Sequence, residues 1–170
     1  MPRPAHDEVA TTRLRAVLTG RVCIVGVGNR LRGDDAAGPR GIDERHSGTR
    51  ALWLDAGTAP ENHLETVVRA EPDTVLIVDA VAFGGDPGEW RVLDAKELDR
   101  VAVSTHAGSL GMLSDYLSSR SGARVWVLAI EPKRIELGEG LSRSVANAVR
   151  EVARLLSEAL AAVDAPTNGG

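Results

Sequence analysis

A single cysteine, Cys23, is the only thiol in the 170-residue chain. An intrachain disulfide and any multi-thiolate metal cluster are therefore excluded, and Cys23, set inside an apolar run, reads as a buried core residue of a cytoplasmic protein. Long hydrophobic runs are also lacking. No stretch approaches the roughly 20 apolar residues that span a bilayer, and the first twenty positions carry charges where a signal peptide needs its apolar stretch, so no membrane role is expected. Net positive charge is missing as well: the formal charge is -4 at pH 7, which gives no global electrostatic reason to bind nucleic acid.

Four catalytic or phosphate-binding signatures are broken or missing. The turn after the first apolar run has Gly26 and Gly28, but the third glycine of a dinucleotide fingerprint is replaced by Leu31. A Walker loop needs Lys-Ser/Thr after its second glycine, and here Gly33 is followed by Asp34 and Asp35. No H-E-x-x-H occurs, and Ser104, Ser109 and Ser114 lack the G-x-S-x-G elbow that presents a nucleophile.

What is present is a regular alternation. With 43% hydrophobic and 26% charged residues the chain has the balance of one compact domain, expected over 21–163, with an N-terminal appendage over 1–20 that includes a helix at 7–18, and a tail at 164–170. RVCIVGV (21–27), TRALWLDAG (49–57), DTVLIVDAV (73–81) and ARVWVLAIEP (123–132) read as strands, the first as one buried on both faces. GGDPGEWRVLDA (84–95) turns through Pro-Gly into another strand with no long helix before it, which suggests an antiparallel edge. Helices are expected after Asp35, short because of Pro39 and Gly41, then within APENHLETVVRAEP (59–72), opened by Pro60 and followed by Pro72, near 96–100, along HAGSLGMLSDYLSSRSG, and over 142–163 with Ser142 as N-cap. Trp53, Trp90 and Trp126 fall in strands and should pack within the layers. The whole predicts an α/β three-layer α/β/α sandwich around a twisted, mainly parallel five-stranded sheet.

In such sheets ligands gather beyond the carboxyl ends of the strands. Three exits carry acids: Asp34 and Asp35, Asp55, and Asp79; His106 stands just before a predicted helix. Clustered carboxylates favour a cation or a proton held at raised pKa. Asp35, Asp79 and His106 can supply three ligands and leave positions open for water or a substrate carbonyl. The competing reading makes Asp35 a helix N-cap, Asp79 a strand-end residue bonded to backbone, and His106 a turn residue. Asn29 suits either a turn or the orientation of a carboxylate or substrate amide, with the turn favoured.

The order of motifs then becomes informative. GVGNRLRGDDAAG (26–38), DAGTAPENHL (55–64), LIVDAVAFGGDPGEWRVLD (76–94), STHAGSLGMLSDYL (104–117) and VLAIEP (127–132) follow one another in a way that resembles the hydrogenase maturation endopeptidases. The resemblance runs over about 21–160; GTAPEN and the Thr-His pair look most like the branch that serves membrane-bound, hydrogen-evolving hydrogenases. It implies a peptidase that removes a short C-terminal extension from the nickel-loaded large-subunit precursor of a nickel–iron hydrogenase. It also implies that Asp35, Asp79 and His106 are the catalytic, metal-contacting residues, with Gly28, Asn29 and Asp34 on the substrate. The divalent metal is expected to be nickel carried by the substrate, and the enzyme a monomer with that precursor as its partner. Ala36, where glycine is common, and the HAGS that follows the histidine position depart from the family pattern. The alternatives are a non-hydrolytic small-molecule or nucleotide-binding module and a hydrogenase-specific chaperone on the same fold.

Overall fold

The protein is described by a computed structural model, covering the backbone of residues 5–103 and 106–166 and the side chains of 8–103 and 108–166. Five strands, β1 (Val22–Val27), β2 (Leu52–Gly57), β3 (Thr74–Ala80), β4 (Trp90–Leu93) and β5 (Arg124–Ile130), form one sheet in the order β2-β1-β3-β5-β4. Pairing is parallel except at the β4 edge, which runs antiparallel to β5 with Trp90 opposite Ile130 and Leu93 opposite Val127. The expected mainly parallel sheet with an antiparallel edge is thus observed. The neighbour of β4 is not β3, which precedes it, but β5; the loop from Val81 to Glu89 carries the chain past that position.

The helices are α1 (Ala5–Val17), α2 (Ala37–Asp43), α3 (Leu64–Arg69), α4 (Ala95–Val101), α5 (His106–Ser121) and α6 (Arg143–Asp164). Short 3-10 turns, Gly33–Ala36 and Pro60–His63, lead into α2 and α3. Every residue of β1 and β3 is buried, as a strand covered on both faces must be. Alternation then assigns the side chains. Val22, Ile24, Leu76 and Val78 face a layer built with α1, α2 and α6, whereas Cys23, Val25, Val75 and Ile77 face one built with α3, α4 and α5. In α6 the buried positions Val145, Val149, Val152, Leu156 and Leu160 recur at three- and four-residue spacing, so one stripe of a 22-residue helix lies on the sheet. No helix among the described residues is long and apolar enough to cross a membrane.

Two details place the functional end. Gly38, in the first turn of α2, lies so close to the sheet that a Cβ there would overlap the carbonyl oxygens of both Val27 and Val78. The start of α2 therefore sits directly on the exits of β1 and β3. At the opposite sheet edge, Asp94 and Glu97 form a reciprocal capping box at the start of α4, and Glu97 also receives both guanidinium nitrogens of Arg13 at 3.0 and 2.7 Å. That pair ties α1 to α4 around the β4 edge.

Candidate active site

The segment from Gly28 to Ala36 joins the exit of β1 to α2 and builds the site. Gly28 has φ +146, and a Cβ there would collide with the carbonyl oxygen of Asp35, so only glycine lets the loop close on itself. Its N–H donates to the Gly57 carbonyl at 2.9 Å, joining the exits of β1 and β2. Asn29 then acts twice. Its side-chain Oδ1 accepts from Leu31 N–H at 2.9 Å, an Asx turn, while its backbone N–H donates to Asp35 Oδ2 at 2.9 Å. The turn role favoured by the sequence is what its side chain performs.

The neighbouring acids diverge. Asp35, half-buried, borders a cleft of about 240 Å³ that is also lined by Val27, Gly28, Thr58, Glu61 and Leu110. Asp34 points inward and is fully buried. Its Oδ1 accepts from Ser142 N–H at 2.7 Å, and its Oδ2 accepts from Lys133 N–H at 2.8 Å, Arg134 N–H at 3.1 Å and Ser142 Oγ at 2.8 Å. The substrate contact expected of Asp34 is replaced by this internal role, because a carboxylate at 0% exposure with four donors has no face left for a ligand. Ser142 holds the N-cap position of α6, but its hydroxyl donates to Asp34 instead of accepting from the first turn.

Asp79, also fully buried, is the penultimate residue of β3 and lies on the same face as Val75 and Ile77, the face covered by α5. The 3-10 turn that carries Asp35 packs against β3, and β1 and β3 are adjacent, so the two acid-bearing segments meet at neighbouring strand ends. His106 is the first residue of α5; its side chain lies outside the described residues, as do Ser104 and Thr105. Among the described residues no three His, Cys, Asp or Glu side chains come together as a metal site. Asp35 and Asp79 are the two acids that the described residues place at this end of the sheet on adjoining segments.

The remaining strand-exit acid is diverted. Arg30 donates from Nη1 to Asp43 Oδ2 at 2.6 Å and from Nη2 to Asp43 Oδ1 at 3.0 Å, and the same Nη2 reaches Asp55 Oδ2 at 2.8 Å. These hydrogen bonds raise the Arg30 pKa further and hold the Asp43 carboxyl below the usual range. Asp55 consequently belongs to an ion-pair bridge between β2, α2 and the loop, so one of the three strand-exit acid groups expected to share a negative pocket is engaged elsewhere. Glu131, directly after β5 in the VLAIEP segment, is a further residue of this end of the sheet. Its Oε2 accepts from Phe83 N–H at 2.7 Å and Gly85 N–H at 3.2 Å, so it fixes the loop that leaves Asp79. The one signal for it in the sequence is an acid set directly behind a buried strand. A second groove, about 390 Å³ between α1 and β4, is bordered by Arg13, Glu89 and Arg91, all engaged in ion pairs, and has no strand-exit acid.

A carboxylate that borders a cleft can help to hold a cation or accept a proton from water, and both serve peptide hydrolysis. The comparisons agree with that chemistry. Residues 43–159 match the sequence profile described as HycI, hydrogenase maturation protease. The hydrogenase 3 maturation protease of Escherichia coli K12 is 32% identical over 129 residues, covering 74% of this chain and 82% of that protein. The crystal structure of a [NiFe] hydrogenase maturation protease HycI from Thermococcus kodakarensis KOD1 is similar with a TM-score of 0.79 and 31% identity, over 88% of this chain and 99% of that one. The solution structure of the endopeptidase HycI from Escherichia coli gives a TM-score of 0.72 and 28% identity, over 82% and 90%. With its fold and the greater part of its sequence in agreement, the chain belongs to the hydrogenase maturation protease family.

Proposed function

We propose that the protein is an endopeptidase that removes a short C-terminal extension from the nickel-loaded large-subunit precursor of a nickel–iron hydrogenase. The client is assigned to the membrane-bound, hydrogen-evolving branch, a reading supported by the GTAPEN segment and by the likeness to a protein named for hydrogenase 3. The enzyme acts as a monomer in the cytoplasm on this one precursor. The observation that carries the reading is Asp35 on a cleft bordered by α5, the helix that His106 opens, with Asp79 buried near the end of the adjacent strand.

Nickel enters as part of the substrate. Asp35, Asp79 and His106 contact the nickel already seated in the client, and this contact selects a loaded precursor over an empty one. A site made of two carboxylates and one imidazole, with the rest of the coordination left to the client, binds free metal weakly and a metal-bearing protein well. The scissile bond then lies against the cleft. One of the carboxylates accepts a proton from water as the water oxygen attacks the peptide carbonyl carbon, and the proton passes to the departing amine, leaving a new carboxylate on the subunit and a free amino group on the extension. Asn29 N–H holds Asp35 Oδ2 in place during this step, and Glu131 and the Gly28 turn fix the flanking backbone.

Incubation of the enzyme with nickel-loaded and nickel-free precursor, followed by intact mass measurement, tests the reading. Shortening of the loaded precursor alone, abolished by Asp79→Asn, is the expected result. A precursor of unchanged mass, or equal cleavage of both forms, refutes it.

A further inference from the structure

The loop from Lys133 to Ser142 is held at three points. Its two ends meet at the Asp34 carboxylate, which accepts from the N–H groups of Lys133, Arg134 and Ser142. Its middle is bonded to the loop that bears Asp35: Gly33 N–H donates to the Gly138 carbonyl and Gly138 N–H to the Leu31 carbonyl, both at 2.8 Å, so that Arg32 and Gly138 form a β-bridge. Two loops about a hundred positions apart therefore behave as one platform at the carboxyl end of the sheet.

That platform presents aliphatic side chains to solvent. Leu31 is 55% exposed, Ile135 52% and Leu137 79%, with charges of both signs between them, such as Arg134 and Glu136. Fixed backbone, an apolar centre and a mixed polar surround are the anatomy of a protein-recognition patch, and the fixed backbone means that little ordering entropy is lost on binding. The occupant follows from position. Leu31 lies four residues before Asp35 on the same loop, so a folded protein that delivers a peptide bond to Asp35 lies against this rim. The mixed charge suits a protein surface; an anionic membrane would call for a basic surround.

Resting on the proposed function, we infer that Leu31, Ile135 and Leu137 form the docking rim for the body of the large-subunit precursor, distinct from the acids that perform the cleavage. The rim sets affinity for the client and not the rate of the chemical step.

The test measures equilibrium binding of nickel-loaded precursor to the wild-type enzyme and to Ile135→Asp/Leu137→Asp, with processing of the same precursor followed by mass. Both positions are exposed, so the variant keeps the wild-type unfolding midpoint; Val9→Asp on α1, at 70% exposure, is the control surface change. Truncating or charging buried anchors of an interface weakens binding about tenfold or more, and the double variant is expected to raise Kd and KM by at least that factor with kcat retained. Kd within twofold of wild type overturns the rim while cleavage by the wild type leaves the proposed function standing. Wild-type binding that the double variant loses, without cleavage by either, upholds the rim and removes the proposed chemistry. Absence of any wild-type association overturns both. Association of the wild type with anionic phosphatidylserine vesicles that the double variant loses reassigns the occupant and overturns the inference.

Discussion

Replacing Asp34 by Asn is the sharpest test of how the site is held together. The amide keeps the volume and one acceptor oxygen. Placed where Oδ2 now lies, that oxygen retains the bonds from Lys133 N–H, Arg134 N–H and Ser142 Oγ, but the amide nitrogen then faces Ser142 N–H, donor against donor, at a position now bonded at 2.7 Å. One charge-assisted hydrogen bond is lost, three are weakened, and the favourable alignment of a carboxylate with the N-terminus of α6 is removed; losing the first costs about 2–3 kcal/mol and losing the last up to about 1 kcal/mol. The expected total is about 2–4 kcal/mol, a large part of the ~5–15 kcal/mol that holds a domain of this size, yet compatible with a folded protein at 25 °C. Asp34→Ala should cost more, since it leaves Ser142 N–H and Oγ buried without the acceptor. Urea unfolding of the wild type and both variants reads the numbers directly. A loss below about 1 kcal/mol for Asn, or Asn worse than Ala, refutes the claim that this carboxylate joins the two loops.

Other outcomes follow from the same geometry. Gly38→Ala puts a methyl onto two strand-exit carbonyls and should lower the thermal midpoint far more than Gly41→Ala, whose Cβ meets only a methyl of Val78 at 3.9 Å; equal midpoints would contradict the close approach of α2. Arg30→Met should cost about 1 kcal/mol by urea unfolding, with Arg30→Lys recovering only part of it, because one ammonium does not reproduce a fork that spans two acids. Glu97 is held below its ordinary value of 4.5, first by the hydrogen bonds from Arg13, so its stabilisation is complete above the unfolded value and is lost as pH falls through the lower folded one. The midpoint difference between wild type and Glu97→Gln should accordingly be constant from neutral pH to about 5.5 and shrink below 4.5; a difference that grows on acidification would reverse the sign. Burial pushes the Cys23 thiol up to about 12, so labelling by a maleimide at pH 7.5 should be slow in native protein and fast in denaturant, and rapid native labelling would contradict its place in the core.

Much of the architecture was legible because burial leaves a direct mark on composition. β3 has an unbroken apolar centre, 75–78, since both its faces are covered, and β4 announced itself as an edge because Pro87 and Gly88 leave no room for a crossover helix. β2 begins at Leu52, three positions later than TRALWLDAG suggests, since a β-favouring residue such as Thr49 is recruited as a hydrogen-bond acceptor for Trp53 Nε1. The site was harder to read for a physical reason. Asp34 and Asp35 are chemically identical neighbours, and what turns one inward and the other toward the cleft is a 3-10 turn whose partners lie about a hundred residues downstream. Nothing local marks Arg30 as the partner that takes Asp55 out of the pocket, or Ser142 as a donor to Asp34 and not a helix cap. Asp79 stood out because an ionisable residue directly after four apolar strand positions is expensive to bury without purpose.

The bond from Ser142 to Asp34 spans 108 positions of sequence. On a ribosome, the loop that carries Asp35 is finished early but stays unfastened until Ser142 has emerged, so a copy truncated before that point keeps Asp34 and Asp35 without the tie that fixes their loop. Translation order thereby leaves the closure of this end of the sheet to one of the last segments made.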